Sequence, residues 1–153
     1  MKLQEVTQAK VGERTYYIRP FPAFKAANIS GEVIGAVLPV LGALLPALTS
    51  KEEVTAESLG ALAPEISKGF SSLSGDRCEK LLRKLLLEEG NVATDWEGKA
   101  VRLTEDIANE VFCGEAQDMY VLAFHVIKVN YAGFFRKLGI RSGNAGTPTQ
   151  GKG

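Results

Sequence analysis

The sequence predicts a mainly α-helical domain with a short N-terminal β-hairpin and a disordered C-terminal tail. Three observations carry this prediction. Most of residues 24–138 repeats apolar side chains at helical spacing, from Phe24 and Ala27 to Phe134 and Leu138. Residues 6–19 instead alternate and are rich in β formers. The last stretch, IRSGNAGTPTQGKG, holds almost no apolar mass with which to offset its ordering entropy. The expected organisation is a helical domain over 1–139, its hairpin at about 5–19, and a flexible Gly-rich tail over 140–153. At 153 residues and 16.5 kDa the chain suits one core, and two would each be poor.

The elements follow in order. Val6, Gln8 and Lys10 alternate with Thr7, Ala9 and Val11, Gly12-Glu13 supplies a turn, and RTYYIR follows as the second strand. Pro20 and Pro22 lack the backbone donor and end it. Apolar positions Val33, Ile34, Val37, Leu38, Leu41, Leu44, Leu45 and Leu48 then mark a helix. An interior proline costs ~3 kcal/mol or more, so this segment is expected to kink, or to form two short helices meeting near Pro39. Ser50-Lys51-Glu52-Glu53 has the form of a capping box, with Thr55 a rival N-cap, before a helix through Leu59, Leu62, Ile66 and Phe70. Asp76 is the expected cap of a helix over 77–89, with Cys78, Leu81, Leu82, Leu85 and Leu86 on one face. Residues 92–103 read as a short hairpin or an extended loop. Thr104 caps the next helix, Gly114 interrupts, and a last helix spans 115–138 with Gly139 as its stop.

Charge and composition exclude several classes. Lys plus Arg is 18 and Asp plus Glu is 18, so there is no basic excess for gripping nucleic acid. Cys78 and Cys113 form no metal-ligand cluster, and read as reduced thiols packed as small hydrophobes. The first twenty residues lack a secretory h-region. Residues 33–48 carry no charge, but as a helix they span only ~24 Å against a ~30 Å hydrocarbon core. They read as a buried or partner-covered segment, not a membrane span.

The last helix has an excess of apolar surface. At ~100° per residue, Met119, Leu122, Val126 and Val129 form one stripe. Tyr120, Phe124, Ile127, Tyr131, Phe134, Phe135 and Leu138 form a second, and together they cover roughly 240°, where one core face needs ~100°. Either this helix is central and covered on two sides, or the aromatic stripe meets another polypeptide. His125 falls on the narrow remaining strip with Lys128 and Ala132, as a surface histidine. After Asp118 the charges are all basic: Lys128, Arg136, Lys137, Arg141 and Lys152 either complement the helix dipole or attract an acidic partner. No catalytic constellation is found. The lone histidine has no nucleophile a turn away, the paired acids Glu52-Glu53, Glu88-Glu89 and Glu105-Asp106 diverge, and Gly143–Thr147 lacks the strand–helix context of a phosphate loop. No cofactor or metal is therefore expected.

Several strings carry a resemblance. RPFPAFK follows the hairpin, and LTED and VFCGE lead into LAFHVIKVNYAGFF. This resembles the tail assembly chaperones of long-tailed bacteriophages and related prophages, in layout over about residues 10–140 and most specifically over 111–135. The resemblance implies a helical, non-enzymatic protein of the host cytoplasm. It implies binding and solubilisation of the tape-measure protein, help in recruiting tail-tube protein, and absence from the finished virion. It also implies a longer frameshift product, for which Gly151-Lys152 is what a slippery G-GGA-AAG heptamer encodes. On this reading Tyr120, Phe124, Ile127, Tyr131, Phe134 and Phe135 form a partner or self-association surface with 33–48 beside it. The alternatives are a structural tail or head-tail connector subunit, which stays in the particle, and a small helical regulator.

Overall fold

The computed structural model describes residues 4–50 and 55–146, with backbone only at 56 and 138–146. Strands β1 (Thr7–Val11) and β2 (Arg14–Ile18) form the expected hairpin. Gly12 begins its two-residue turn at φ 62°, the left-handed conformation that a type II′ turn requires of its first position. Helix α1 (Ala23–Val37) passes through a 3₁₀ turn (Leu38–Val40) into α2 (Leu41–Thr49), so the break falls at Pro39 as anticipated. Helix α3 (Ala56–Ser71) is capped by Thr55, whose Oγ1 accepts from the Ser58 amide at 3.1 Å. The rival box at 50–53 lies mostly outside the described residues.

Helix α4 (Gly75–Arg83) widens into a π turn (Lys84–Glu88). Its cap is Ser74, not Asp76: Ser74 Oγ accepts from the Arg77 amide at 3.4 Å, and Asp76 sits in the first turn, where a carboxylate still favours the dipole. Leu81, Leu82, Leu85 and Leu86 are buried as the pattern predicts. On the other face Lys84 pairs with Glu32 at 2.6 Å, and Arg83 with Glu79 and Glu105 at 2.9 Å each.

Residues 92–103 resolve the choice between loop and hairpin. They form β3 (Val92–Trp96) and β4 (Lys99–Arg102), joined at Glu97-Gly98 with φ 51° and 83°, both positive as a type I′ turn demands. This second hairpin also joins the first. β2 pairs antiparallel with β3, Tyr16 opposite Thr94 and Ile18 opposite Val92, giving one four-stranded sheet in the order β1-β2-β3-β4. The sequence shows one hairpin and leaves 92–103 as a hairpin or a loop, and the long-range pairing of β2 with β3 is a tertiary fact. One sheet face buries Ala9, Val11, Tyr16, Ile18, Val92 and Thr94.

Thr104 caps α5 (Glu105–Val111) as expected, accepting from the Ile107 amide at 3.3 Å. Helix α6 (Ala116–Gly146) follows Gly114, which takes φ 76°. The helix continues through Gly139 to Gly146, so the anticipated stop is not used; the remaining tail residues, 147–153, lie outside the described residues. α6 is the central element, packing against β1, α2, α3 and the π turn. Of the two cysteines, Cys78 is half-buried, but Cys113 is exposed, contrary to the packed thiol expected there. It follows Phe112, whose ring stacks on Tyr16 and takes the buried position at this corner.

Candidate interaction surface

Every residue from 121 to 127 is buried, so α6 is covered on all sides through two turns. Of the six side chains expected to face a partner, Phe124, Ile127, Tyr131 and Phe135 are buried in this chain's own core. Tyr120 is half-buried and stacks on Phe70 with ring centroids 5.2 Å apart. Only Phe134 is exposed, at 47%. The aromatic stripe is thus mainly core and is not an open surface in this conformation. The physical reason is that the chain's other helices cover it: Tyr120 stacks on Phe70 of α3, and Tyr131 reaches the Ala26 carbonyl of α1.

His125 is likewise corrected. It is 9% exposed, not a surface residue. Its ring meets Phe124 edge-on, and Nε2 has no hydrogen-bond partner. Burial, aided by the Lys128 cation, lowers its pKa to about 4. The basic end of α6 also has a use that neither expectation named. Lys128 Nζ donates to the carbonyls of Ala47 and, at 2.7 Å, Ser50, and Arg136 donates to Thr49 at 3.4 Å. These cations complement the C-terminal dipole of α2, not that of their own helix.

Those contacts fix the shape of the second apolar segment. Tyr131 Oη donates to the Ala26 carbonyl at 2.6 Å, and Asn130 Oδ1 accepts from the Phe21 amide at 2.7 Å. The chain therefore leaves α6 at the start of α1 and returns to it at the end of α2. Between these points it crosses α3. A Cβ on buried Gly69 would lie 2.7 Å from the Ala36 carbonyl and 3.1 Å from Val40 Cγ2, so only glycine permits this approach. The bend at 38–40 is held over α3 in this way.

Val33, Ala36, Val37, Val40, Leu44 and Leu48 face inward and are buried. The outer face of the bend carries Gly35, Leu38, Pro39, Gly42, Ala43 and Pro46, all exposed, with Leu38 at 57%. No charge occurs from 33 to 50. Phe24 adds a 92% exposed ring at the start of α1. The stretch Ala23–Thr49 has the length and mean hydropathy, 1.9, of a membrane span, yet its inner stripe is part of the domain core. Sequence reasoning placed this segment beside the partner surface but missed that its outward strip is the part left open. The signal was present: the prolines and most of the glycines fall on that strip.

Among the described residues, no three His, Cys, Asp or Glu side chains are grouped to hold a metal ion. No curated protein and no solved structure matches the chain. A family model does match, over residues 12–144, and its description is phage tail assembly chaperone protein, TAC. With a core helix, a bent apolar arm and a match across most of its length, the chain belongs to the phage tail assembly chaperone family.

Proposed function

We propose that this chaperone holds apolar helices of the tape-measure protein on the outer face of the α1–α2 bend, keeping them soluble until the tail tube covers them. The observation that supports this is the uncharged, exposed strip around Leu38, pinned at both ends by α6 and therefore presented as a preformed surface. An amphipathic helix of a long tape-measure protein has the complementary apolar face. A protein client, and not lipid, fits a segment whose other face is integral to the core: withdrawing it into a bilayer would take Val33, Val37, Leu44 and Leu48 out of the core and uncover the α6 face that α2 packs on.

On the same reading the protein works in the host cytoplasm. It helps recruit tail-tube protein through a longer frameshift product extending beyond Gly151-Lys152, and does not remain in the virion. Self-association through the same strip keeps it covered before the client arrives. The test is co-expression with the tape-measure protein. Leu38→Glu should leave the chaperone folded by circular dichroism and move the tape-measure protein to the insoluble fraction. Unchanged client solubility would overturn the assignment of this surface. A mass-spectrometric inventory of purified virions that contained the chain would favour a structural tail or connector subunit instead.

A further inference from the structure

A groove of about 760 Å³ lies between β1, α3 and α6, apart from the α1–α2 bend. Every residue from 7 to 12 lines it. Successive side chains of a strand point to opposite faces, so a strand that contributes every residue to a cavity meets it with its edge. Among the described residues β1 is an edge strand, paired with β2 alone. Val11 and Arg14 flank a two-residue turn and form a hydrogen-bonded pair, as do Ala9 with Tyr16 and Thr7 with Ile18. The amides and carbonyls of Gln8 and Lys10 therefore point the other way, out from the sheet and into the groove. Among the described residues, neither makes a backbone bond to another element.

A second, independent feature points to a ligand. His125 lines the same groove from α6, nine-tenths buried, with Nε2 unpartnered. A buried ring nitrogen without a partner costs free energy unless something supplies the hydrogen bond. The remaining walls are mainly apolar: Leu59 and Ala63 from α3, and Val121 and Val129 from α6. Lys128 is already committed to the end of α2.

We infer that this groove receives an extended segment of the tape-measure client, which adds to the free edge of β1 as a fifth strand and packs over the His125 ring. This rests on the client-holding role proposed above and specifies a second, non-helical contact for it. The occupant has to be a single strand. Pairing two copies edge to edge about a two-fold axis would place both helical layers on one sheet face, and their α3 walls would compete for the space over the seam. Five paired residues of β1 offer about 17 Å of edge.

The experiment titrates short synthetic peptides tiling the tape-measure sequence into the full-length chain and follows amide exchange by NMR. At least one peptide should slow exchange at Gln8 and Lys10 and shift the His125 ring resonances. Gln8→Pro removes an outward N–H without touching the β1–β2 ladder, and should weaken that peptide about tenfold, the loss of one or two backbone bonds. Gly60→Trp is the second variant. The space beyond its Cβ is open, so the ring should fill the groove and abolish binding without unfolding α3. Peptide binding retained in Leu38→Glu would show that the two contacts are separate. If no peptide protects Gln8 and Lys10, or if both variants bind as the parent does, the inference fails even where Leu38→Glu has upheld the client-holding role.

Discussion

The two most apolar regions of this chain meet opposite fates. α6 carries most of the aromatic mass and is enclosed through two full turns; the arm from residue 33 to 49 is aliphatic, free of charge, and buried on its inner side only. An apolar surplus does not separate them, because both have more apolar surface than one core face requires. Position in the layers does. α6 lies between the sheet and the helices, while the arm is an outer element with nothing described beyond it. An exposed apolar strip is therefore better evidence of a partner than an apolar helix is.

The sharpest way to break this contrast is truncation at paired positions. Phe124→Ala should cost about 3–5 kcal/mol, since a 2% exposed ring leaves a cavity, whereas Phe134→Ala one helix face away should stay within about 0.5 kcal/mol. Urea unfolding of the two variants measures the difference. Similar losses would mean that the enclosure of α6 has been misjudged.

Acid should act on α6 next. His125 is held neutral in the fold with its pKa near 4, against 6.5 when exposed, so between those values the unfolded chain binds the extra proton. Stability contributed here is fully present above pH 6.5, falls as pH drops through that window, and levels off below about 4. At about 1.4 kcal/mol per pH unit the total is on the order of 3 kcal/mol. His125→Phe should flatten that part of the profile; an unchanged slope would place its origin in other groups.

The arm has its own structural pin. Gly69→Ala drives a methyl into the Ala36 carbonyl and should cost about 1–3 kcal/mol, read as a lowered melting temperature. The smallest effect belongs to the outer strip. Leu38→Ser should change stability by less than about 0.5 kcal/mol while reducing self-association in sedimentation. A large loss of stability would show that Leu38 serves the fold and is not a free surface.

Local signals were legible wherever neighbours in sequence decide the outcome. The Gly12 turn, the break at Pro39, the Thr55 and Thr104 caps and the leucine face of α4 all follow from propensity and spacing within a few residues. The site was less legible. The periodicity of the aromatic stripe is the same whether a partner or the chain's own helices cover it. His125 was misplaced for a related reason: a polar strip between two apolar stripes looks solvent-facing until a third element is laid over it.

What the sequence by itself determined is the set of elements, their caps and breaks, and the excess of apolar surface that requires cover from somewhere. What only the tertiary structure decided is which surface receives it. Pairing β2 with β3 joins strands separated by all of α1 to α4, and no local pattern encodes that register. Once α1, α2 and α3 pack on α6, its aromatic stripe becomes core, Lys128 and Arg136 turn to the end of α2, and the bend at Leu38 remains as the open apolar face. Burial is a sum over elements distant in the chain, whereas helix and turn formation is settled among near neighbours.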